Sequence, residues 1–360
     1  MKKTALLIAA VLIVLGLMTS CDNNTVKIGV IIPENNGLGK SIKSGLKLAE
    51  EEINKESRIK YQLVFGDAPA ERDVITAYNL IKYKDDIKIF VTTGSSYSMA
   101  LKPTAIDNGE WLFCVASLPD ITADGTYNIY KIGNSSVDES NAIVNYLTND
   151  STANNIVLFY PNTEYGIPFY ETINKQIVSC TSYVYNDESL QNYNGIISKV
   201  IDSNPNVIVA IGNSSSLGVL VKKIRTLGYD GTIVSNAGFT NSDVITSVGD
   251  AANGVVYLDY DMDNSTKTEE RNDYTQTNYQ VAFSSFGFLA YSIPYLIDAG
   301  LSDVFKEGSV TNDSINASVL EKASALIRSN DKIQIAGEYP YNVYANGDIK
   351  PSLKFRIYGQ

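Results

Sequence analysis

The sequence predicts an α/β protein of two doubly wound lobes, each built on a largely parallel sheet. Three observations lead there. Short β-branched runs alternate with amphipathic helical stretches from Val26 onward, the pattern of strand–helix–strand units. About nine such strands can be counted, enough for two sheets of ordinary size. The rhythm pauses at Tyr130-Lys131-Ile132-Gly133, a connecting strand, and then restarts. A single large sheet, or a barrel, is the alternative arrangement of the same elements.

The stretch Val26–Asn54 shows the unit most clearly. Val26, Ile28, Val30, Ile31 and Ile32 form an apolar run suited to a strand covered on both faces. Pro33 ends it, because proline cannot donate to a ladder. Glu34–Gly39 makes a polar turn, and Ile42, Leu46, Ala49 and Ile53 mark one stripe of a helix. In folds made of such units, ligands lie at the carboxyl ends of the strands, where these turns are.

Tyr61–Phe65 alternates as a strand, and Glu71–Lys84 is helical with Val74, Ala77, Tyr78 and Ile81 on one face. Ile87–Val91 and Trp111–Ala116 are strands flanking a helix over Met99–Asn108, with Pro103 in its first turns. After the connecting strand come a helix over Val137–Leu147, the buried strand Asn155–Tyr160 and a helix over Pro168–Ile177. Tyr183–Tyr185 is a short strand and Tyr193–Ser203 a helix. Val207–Ile211 is a strand, and the helix Leu217–Leu227 stops at Gly228, a C′ glycine. Thr232–Ser235 and Val255–Asp259 are further strands. Asp261–Asn278 is a polar surface loop leading into a helix. Phe286–Ala299 is a long apolar helix interrupted by Pro294, and Asn316–Arg328 is amphipathic. Lys332–Ala336 and Leu353–Tyr358 are strands, with an Asn346-Gly347 hairpin signal before the second.

Composition narrows the function. The 360 residues are 44% hydrophobic, ample for one large or two medium cores. The formal net charge is -11, with no basic run, which argues against a nucleic-acid partner. The chain has no histidine, so the commonest general base and metal ligand are missing. Cys114 and Cys180 are either a disulfide of an extracytoplasmic protein or two buried free thiols. Neither has a histidine partner for nucleophilic chemistry.

The N-terminus reads as an export signal. Met1-Lys2-Lys3 is positive and Ala5–Leu17 is apolar. As a helix the apolar stretch would span roughly 20 Å, short of the about 30 Å of a bilayer core. Met18-Thr19-Ser20-Cys21 resembles a lipobox, which makes residues 1–20 the signal, Cys21 the lipidation site and 21–25 a tether. Acyl chains on Cys21 would hold the protein at a membrane. An ordinary secretory signal with an incidental cysteine is the other reading.

From Val26 onward the residues resemble a known family. IGVIIP with the following LAEEEIN, GSSYSMAL at 94–101, LFYPNTEYG at 158–166, LVKKIRTLGYDG at 220–231 and AYSIPYLIDAG at 290–300 occur in the family's order. IAGEY and YANGDIK complete it. They are similar to the type I periplasmic solute-binding lipoproteins of ABC importers, in the branch that includes leucine/isoleucine/valine-binding proteins. The resemblance implies the type I periplasmic-binding-protein fold, with three hinge crossings near Gly133, Asp259 and Ala336. Lobe one is then 26–133 and 260–335, and lobe two 134–259 and 336–360. Hinge closure would bury a ligand between them.

The resemblance, together with the strand-end turns, points to a set of ligand-binding residues. In lobe one these are Leu38, Ser96, Tyr97, Ser98, Ala116 and Ser117. The serines of Ser95–Ser98 lie at a helix start suited to an anionic group, or serve only as N-caps. In lobe two they are Asp138, Tyr165, Asn213, Ser214 and Ala237. Asp138 matches an acidic or polar family position, or caps its helix. Relatives that bind α-amino acids carry an acid after the next strand, whereas Ser235–Phe239 has none. A buried ammonium would then need another partner, such as Asp138. Otherwise the ligand is an amide, a small carboxylate, a urea, or a purine-like or aromatic compound.

The expected function is therefore non-enzymatic: capture of a small polar solute outside the cytoplasm and delivery to an ABC permease. The partners are a small-molecule ligand, the permease, and a membrane through Cys21. No cofactor, metal or nucleic acid is expected, and a monomer is. The alternative is a surface lipoprotein that reports its ligand to a membrane receptor. An enzyme on a nucleotide-binding fold is disfavoured, since the first turn, PENNGLG, lacks a phosphate-binding glycine and lysine spacing.

Overall fold

The β-branched runs become strands because helices cover both faces of each sheet. The computed structural model describes residues 25–149, 154–186, 189–262 and 267–360. The expected export signal, Cys21 and the tether as far as residue 24 lie outside the described residues.

In the first sheet, β1 (Thr25–Ile32), β2 (Lys60–Asp67), β3 (Ile89–Thr93), β4 (Trp111–Val115) and β5 (Ile129–Ile132) run parallel in the order β2-β1-β3-β4-β5. Helices α1 (Gly37–Glu56), α2 (Val74–Asp85) and α3 (Ser95–Asp107) connect them. The chain then crosses to a second sheet of β6 (Ile156–Pro161), β7 (Thr181–Tyr185), β8 (Val207–Ala210), β9 (Thr232–Ser235) and β10 (Val256–Tyr260). These are parallel in the order β10-β9-β8-β6-β7. Its helices are α4 (Ser136–Asn149), α5 (Ile167–Gln176), α6 (Asn194–Asp202), α7 (Ser215–Thr226) and α8 (Ser242–Val248).

After β10 the chain returns to the first lobe as α9 (Thr268–Tyr279), α10 (Ser285–Val304) and α11 (Ala317–Arg328). The apolar helix α10 lies against α1 so closely that a Cβ on Gly45 would sit 2.0 Å from the Gly287 carbonyl oxygen. Trp111 is fully buried beside α11, its indole nitrogen donating to Ser324 Oγ at 2.8 Å. The two doubly wound lobes expected from the sequence are present.

The third crossing is displaced from its expected place near Ala336. The resemblance puts residues 336–360 in lobe two, yet β11 (Lys332–Ile335), β12 (Tyr339–Val343) and β13 (Asp348–Pro351) all extend the first sheet. The Asn346-Gly347 turn joins β12 to β13 as an antiparallel pair, and β13 then pairs parallel with β5. Lys131 of β5, fully buried, reaches Asp348 of β13 at 3.1 Å. Only β14 (Leu353–Ile357) crosses, pairing antiparallel with β10.

At the hinge the crossings are bonded to one another. Asn134 Nδ2 donates to the Pro351 carbonyl at 3.0 Å, and the Asp261 amide to the Ser352 carbonyl at 2.9 Å. Cys114 and Cys180 are free thiols rather than a disulfide. Among the described residues, no helix is long and apolar enough to cross a membrane.

Candidate ligand-binding cleft

The carboxyl ends of the two sheets face each other across a cavity of about 640 Å³, within the range of small-molecule sites. The first lobe lines it with Leu38, Glu71, Thr93–Ser96, Val115–Ser117, Phe286 and Leu289. The second lobe contributes Glu139, Asn162–Tyr165, Ile167 and Asn213, and Asn134 and Tyr260 line it at the hinge.

On the first-lobe wall, Gly94 turns β3 into α3 with φ +81, a backbone state that glycine takes without strain. Its amide donates to Val115 O at 3.0 Å. No side chain caps α3, so first-turn amides are left for another acceptor beside Ser95 and Ser96. Ser117 Oγ is buried and has no hydrogen-bond partner, an uncommon state for an interior hydroxyl. Leu38, Val115, Ala116, Phe286 and Leu289 supply the apolar part of the lining.

The second-lobe wall centres on Glu139 of α4, which is only 2% exposed. Its Oε2 accepts from the Ala237 amide at 3.0 Å, and the Asn236 side chain also bonds it. Burial pushes the carboxyl up to about 7, against the pull of those two donors. Asn236 also donates to the Tyr165 hydroxyl and accepts from the Gly212 amide. Tyr165 packs against Phe169 with ring centroids 5.4 Å apart. Burial holds the hydroxyls of Tyr165 and Tyr260 well above the usual phenol range. Glu71 and Glu164 are exposed, at the rim. Among the described lining residues none is lysine or arginine.

The lobes also touch beside the cavity. The Gly37 amide, in the first turn of α1, donates to Asp243 Oδ2 of α8 at 2.9 Å. A charge-assisted bond thus joins one lobe to the other.

Of the residues singled out in the sequence, Leu38, Ser96, Ala116, Ser117, Tyr165 and Asn213 line the cavity. Five others are placed elsewhere. The Tyr97 hydroxyl donates to Ala68 O at 2.8 Å, and the buried Ser98 Oγ to Gly94 O at 2.7 Å. Ser214 is exposed ahead of α7. Ala237 is buried behind the wall and reaches the site only through the amide that bonds Glu139.

Asp138 is the instructive correction. Its carboxylate accepts from Ser135 N at 2.8 Å and Ser135 Oγ at 2.6 Å, and Lys350 pairs with it at 2.7 Å. The Asp138 amide donates back to Ser135 Oγ, completing a capping box. Successive helical residues point about 100° apart, so with Asp138 held at the cap, Glu139 faces the cleft. The sequence reasoning missed Glu139, although a signal existed. It stands four residues before Ile143 and eight before Leu147, on the buried stripe of α4. An acid on such a stripe is rarely accidental. Ser95 belongs to the Ser95–Ser98 turn already singled out, whereas Thr93, Asn134 and Tyr260 carried no comparable signal.

A family model described as periplasmic binding protein matches residues 25–326. The chain belongs to the periplasmic binding protein family. Solved structures agree on the fold. The leucine-binding protein of Thermotoga maritima is 18% identical at a TM-score of 0.77, over 92% of this chain and 95% of that one. A branched-chain amino acid transporter substrate-binding protein of Streptococcus pneumoniae, in complex with isoleucine, is 17% identical at 0.76, over 92% and 96%. An ABC transporter solute-binding protein of R. palustris, in complex with benzoate, is 14% identical at 0.77, over 92% and 93%. Among curated proteins there is no match. The family expected from the sequence is thus the family found, and the cavity of this periplasmic binding protein lies between its two lobes.

Proposed function

We propose that this periplasmic binding protein captures a small polar solute between its lobes, outside the cytoplasm, and delivers it to an ABC importer. The solute is an amino acid, an amide or a related compound. One observation carries the reading: polar groups of both lobes converge on one cavity. Ser96 and Ser117 come from the first, Glu139 and Tyr165 from the second. Such convergence suits recognition of a ligand that is enclosed when the lobes approach. The cavity has no histidine, and the role is binding rather than chemistry. The leucine, isoleucine and benzoate named for the three relatives set the scale of the ligand.

Anchoring through Cys21 and a monomeric state belong to the same proposal. The lipobox-like Met18–Cys21 and the polar residues after it support the anchor. Replacing Cys21 by serine should release the protein from the membrane fraction of expressing cells.

The decisive experiment is a thermal-shift panel on the soluble domain from Thr25. It should cover amino acids, amides, nucleosides and small carboxylates, with mass spectrometry of any co-purified compound. At least one class should raise the melting temperature, by RT ln(1 + [L]/Kd) at the concentration used. No response in any class, and no co-purified compound, would refute solute capture.

A further inference from the structure

We infer that Glu139 selects ligands that present an ammonium group to the second-lobe wall. This deepens the solute-capture reading and rests on it. The carboxylate is buried at the cavity, and its hydrogen-bond partners are neutral: the Ala237 amide at 3.0 Å and the Asn236 side chain, with Lys131 acting on it only through space and least of all. The ammonium groups nearest along the hinge are committed elsewhere. Lys131 is 3.1 Å from Asp348, and Lys350 is 2.7 Å from Asp138 and 3.2 Å from Asp348. No lysine or arginine is among the described lining residues, while Glu71 and Glu164 add further negative charge at the rim.

A buried carboxylate without a countercharge is unfavourable. A ligand ammonium would supply a direct ion pair, which Lys131, paired with Asp348, does not. A ligand whose only charge is a carboxylate would add a second negative group to the same wall. The opposite wall offers neutral donors, Ser95, Ser96 and the uncapped first turn of α3, for the ligand's other polar end. The acid thus reaches the Ala237 amide from α4, across the cleft wall, rather than following β9 in the chain.

The protonation balance gives the idea a sign. With no ligand, burial holds Glu139 near 7. An ammonium beside it favours the carboxylate, so binding below that pH expels a proton. The ionised fraction rises about tenfold between pH 6 and 8, and affinity rises with it. Asp138, on the same helix, is held below the carboxylate range, chiefly against burial by Lys350. Lys131 is lowered by burial but paired with Asp348, and the Tyr165 and Tyr260 hydroxyls are raised by burial.

The test uses the whole soluble domain and matched probes: α-amino acids, their 2-hydroxy acid counterparts, and benzoate. Titration calorimetry at pH 6, 7 and 8 gives affinity and proton release. At least one amine should bind, with its 2-hydroxy acid weaker by 100-fold or more. Amine affinity should rise about tenfold from pH 6 to 8. Glu139→Gln keeps an oxygen for the Ala237 amide and should fold, as circular dichroism would show. It should lose at least tenfold in amine affinity, and the pH dependence with it. Hydroxy acid or benzoate binding equal to or tighter than the amine, or Glu139→Gln with undiminished amine affinity, overturns the inference alone. A wild-type domain that binds no probe in this set or in the wider panel overturns solute capture as well.

Discussion

Replacing Gly37 by alanine should weaken capture without touching the ligand. Gly37 is the first residue of α1, and its amide bonds Asp243 of the other lobe at 2.9 Å. A Cβ there would lie 2.4 Å from Ser242 Oγ and 2.6 Å from Asp243 Oδ1. Both are ends of mobile side chains, so they would move aside, and the interlobe bond would be lost. Hydrogen bonds to charged groups contribute about 1.5–3 kcal/mol. Asp243 is half-exposed, which puts this one near the lower figure, or about tenfold in affinity at about 1.4 kcal/mol per decade. With the lobes apart the new methyl meets nothing on α8, and alanine suits a helix better than glycine by about 0.5–1 kcal/mol. The separated form is therefore not weakened, and the loss falls on the closed form. A ligand shifts such a balance only through its preference for one state. Calorimetry with any compound bound by the wild type should show about tenfold weaker binding in Gly37→Ala, with an unchanged or higher melting temperature without ligand. X-ray scattering should show a larger radius of gyration at subsaturating ligand. Wild-type affinity in both Gly37→Ala and Asp243→Asn would refute the reasoning.

Three further outcomes follow from the same geometry. Ser117→Ala removes a buried hydroxyl that has no partner, so stability without ligand should hold or rise while affinity falls about three- to tenfold, as calorimetry would read. Asp138 is pushed up by burial but held below its ordinary 3.8 by Lys350 and Ser135. Its contribution is present above about pH 4 and lost as pH falls further, so Asp138→Asn should cost about 1 kcal/mol or less at pH 7 and progressively less as pH falls below 4 in denaturant titrations. Burial pushes the Cys114 thiol up to about 12, so iodoacetamide at pH 8 should modify it only after unfolding, as intact-mass measurement would show.

Local patterns exposed most of the architecture. Runs such as Val26–Ile32 and Trp111–Val115 are apolar on both sides because helices cover both faces of their sheets, and that state is written in consecutive residues. The last crossing was less legible. The Asn346-Gly347 turn announces a hairpin, but which sheet the hairpin joins is decided by Lys131 and β5, far back in the chain. The cleft shows the same division. Tyr165 and Ser96 sit in strand-end turns and were accessible to motif reasoning. Asp138 and Glu139 are adjacent acids on one helix, and the choice between them is made by Ser135 and Lys350. No sequence window holds both the helix and Lys350, so the acid that lines the cavity could not be told there from the acid that caps the helix. Glu139 was readable only as a charge on an apolar stripe.

The bonded crossings at the hinge limit how the lobes can part. Asn134, Asp261, Pro351 and Ser352 tie three chain segments into one narrow ribbon. Segments fastened side by side cannot slide past one another, so shear between the lobes would break both bonds while bending need break neither. Pro351, with its fixed φ, stiffens the middle segment on the first-lobe side. A lobe motion that keeps both bonds would be a bend about this ribbon rather than a slide along it. Along such a path the distance between Ser117 and Glu139 becomes a single-valued function of the opening angle, so two probes placed across the mouth would be enough to follow the whole movement.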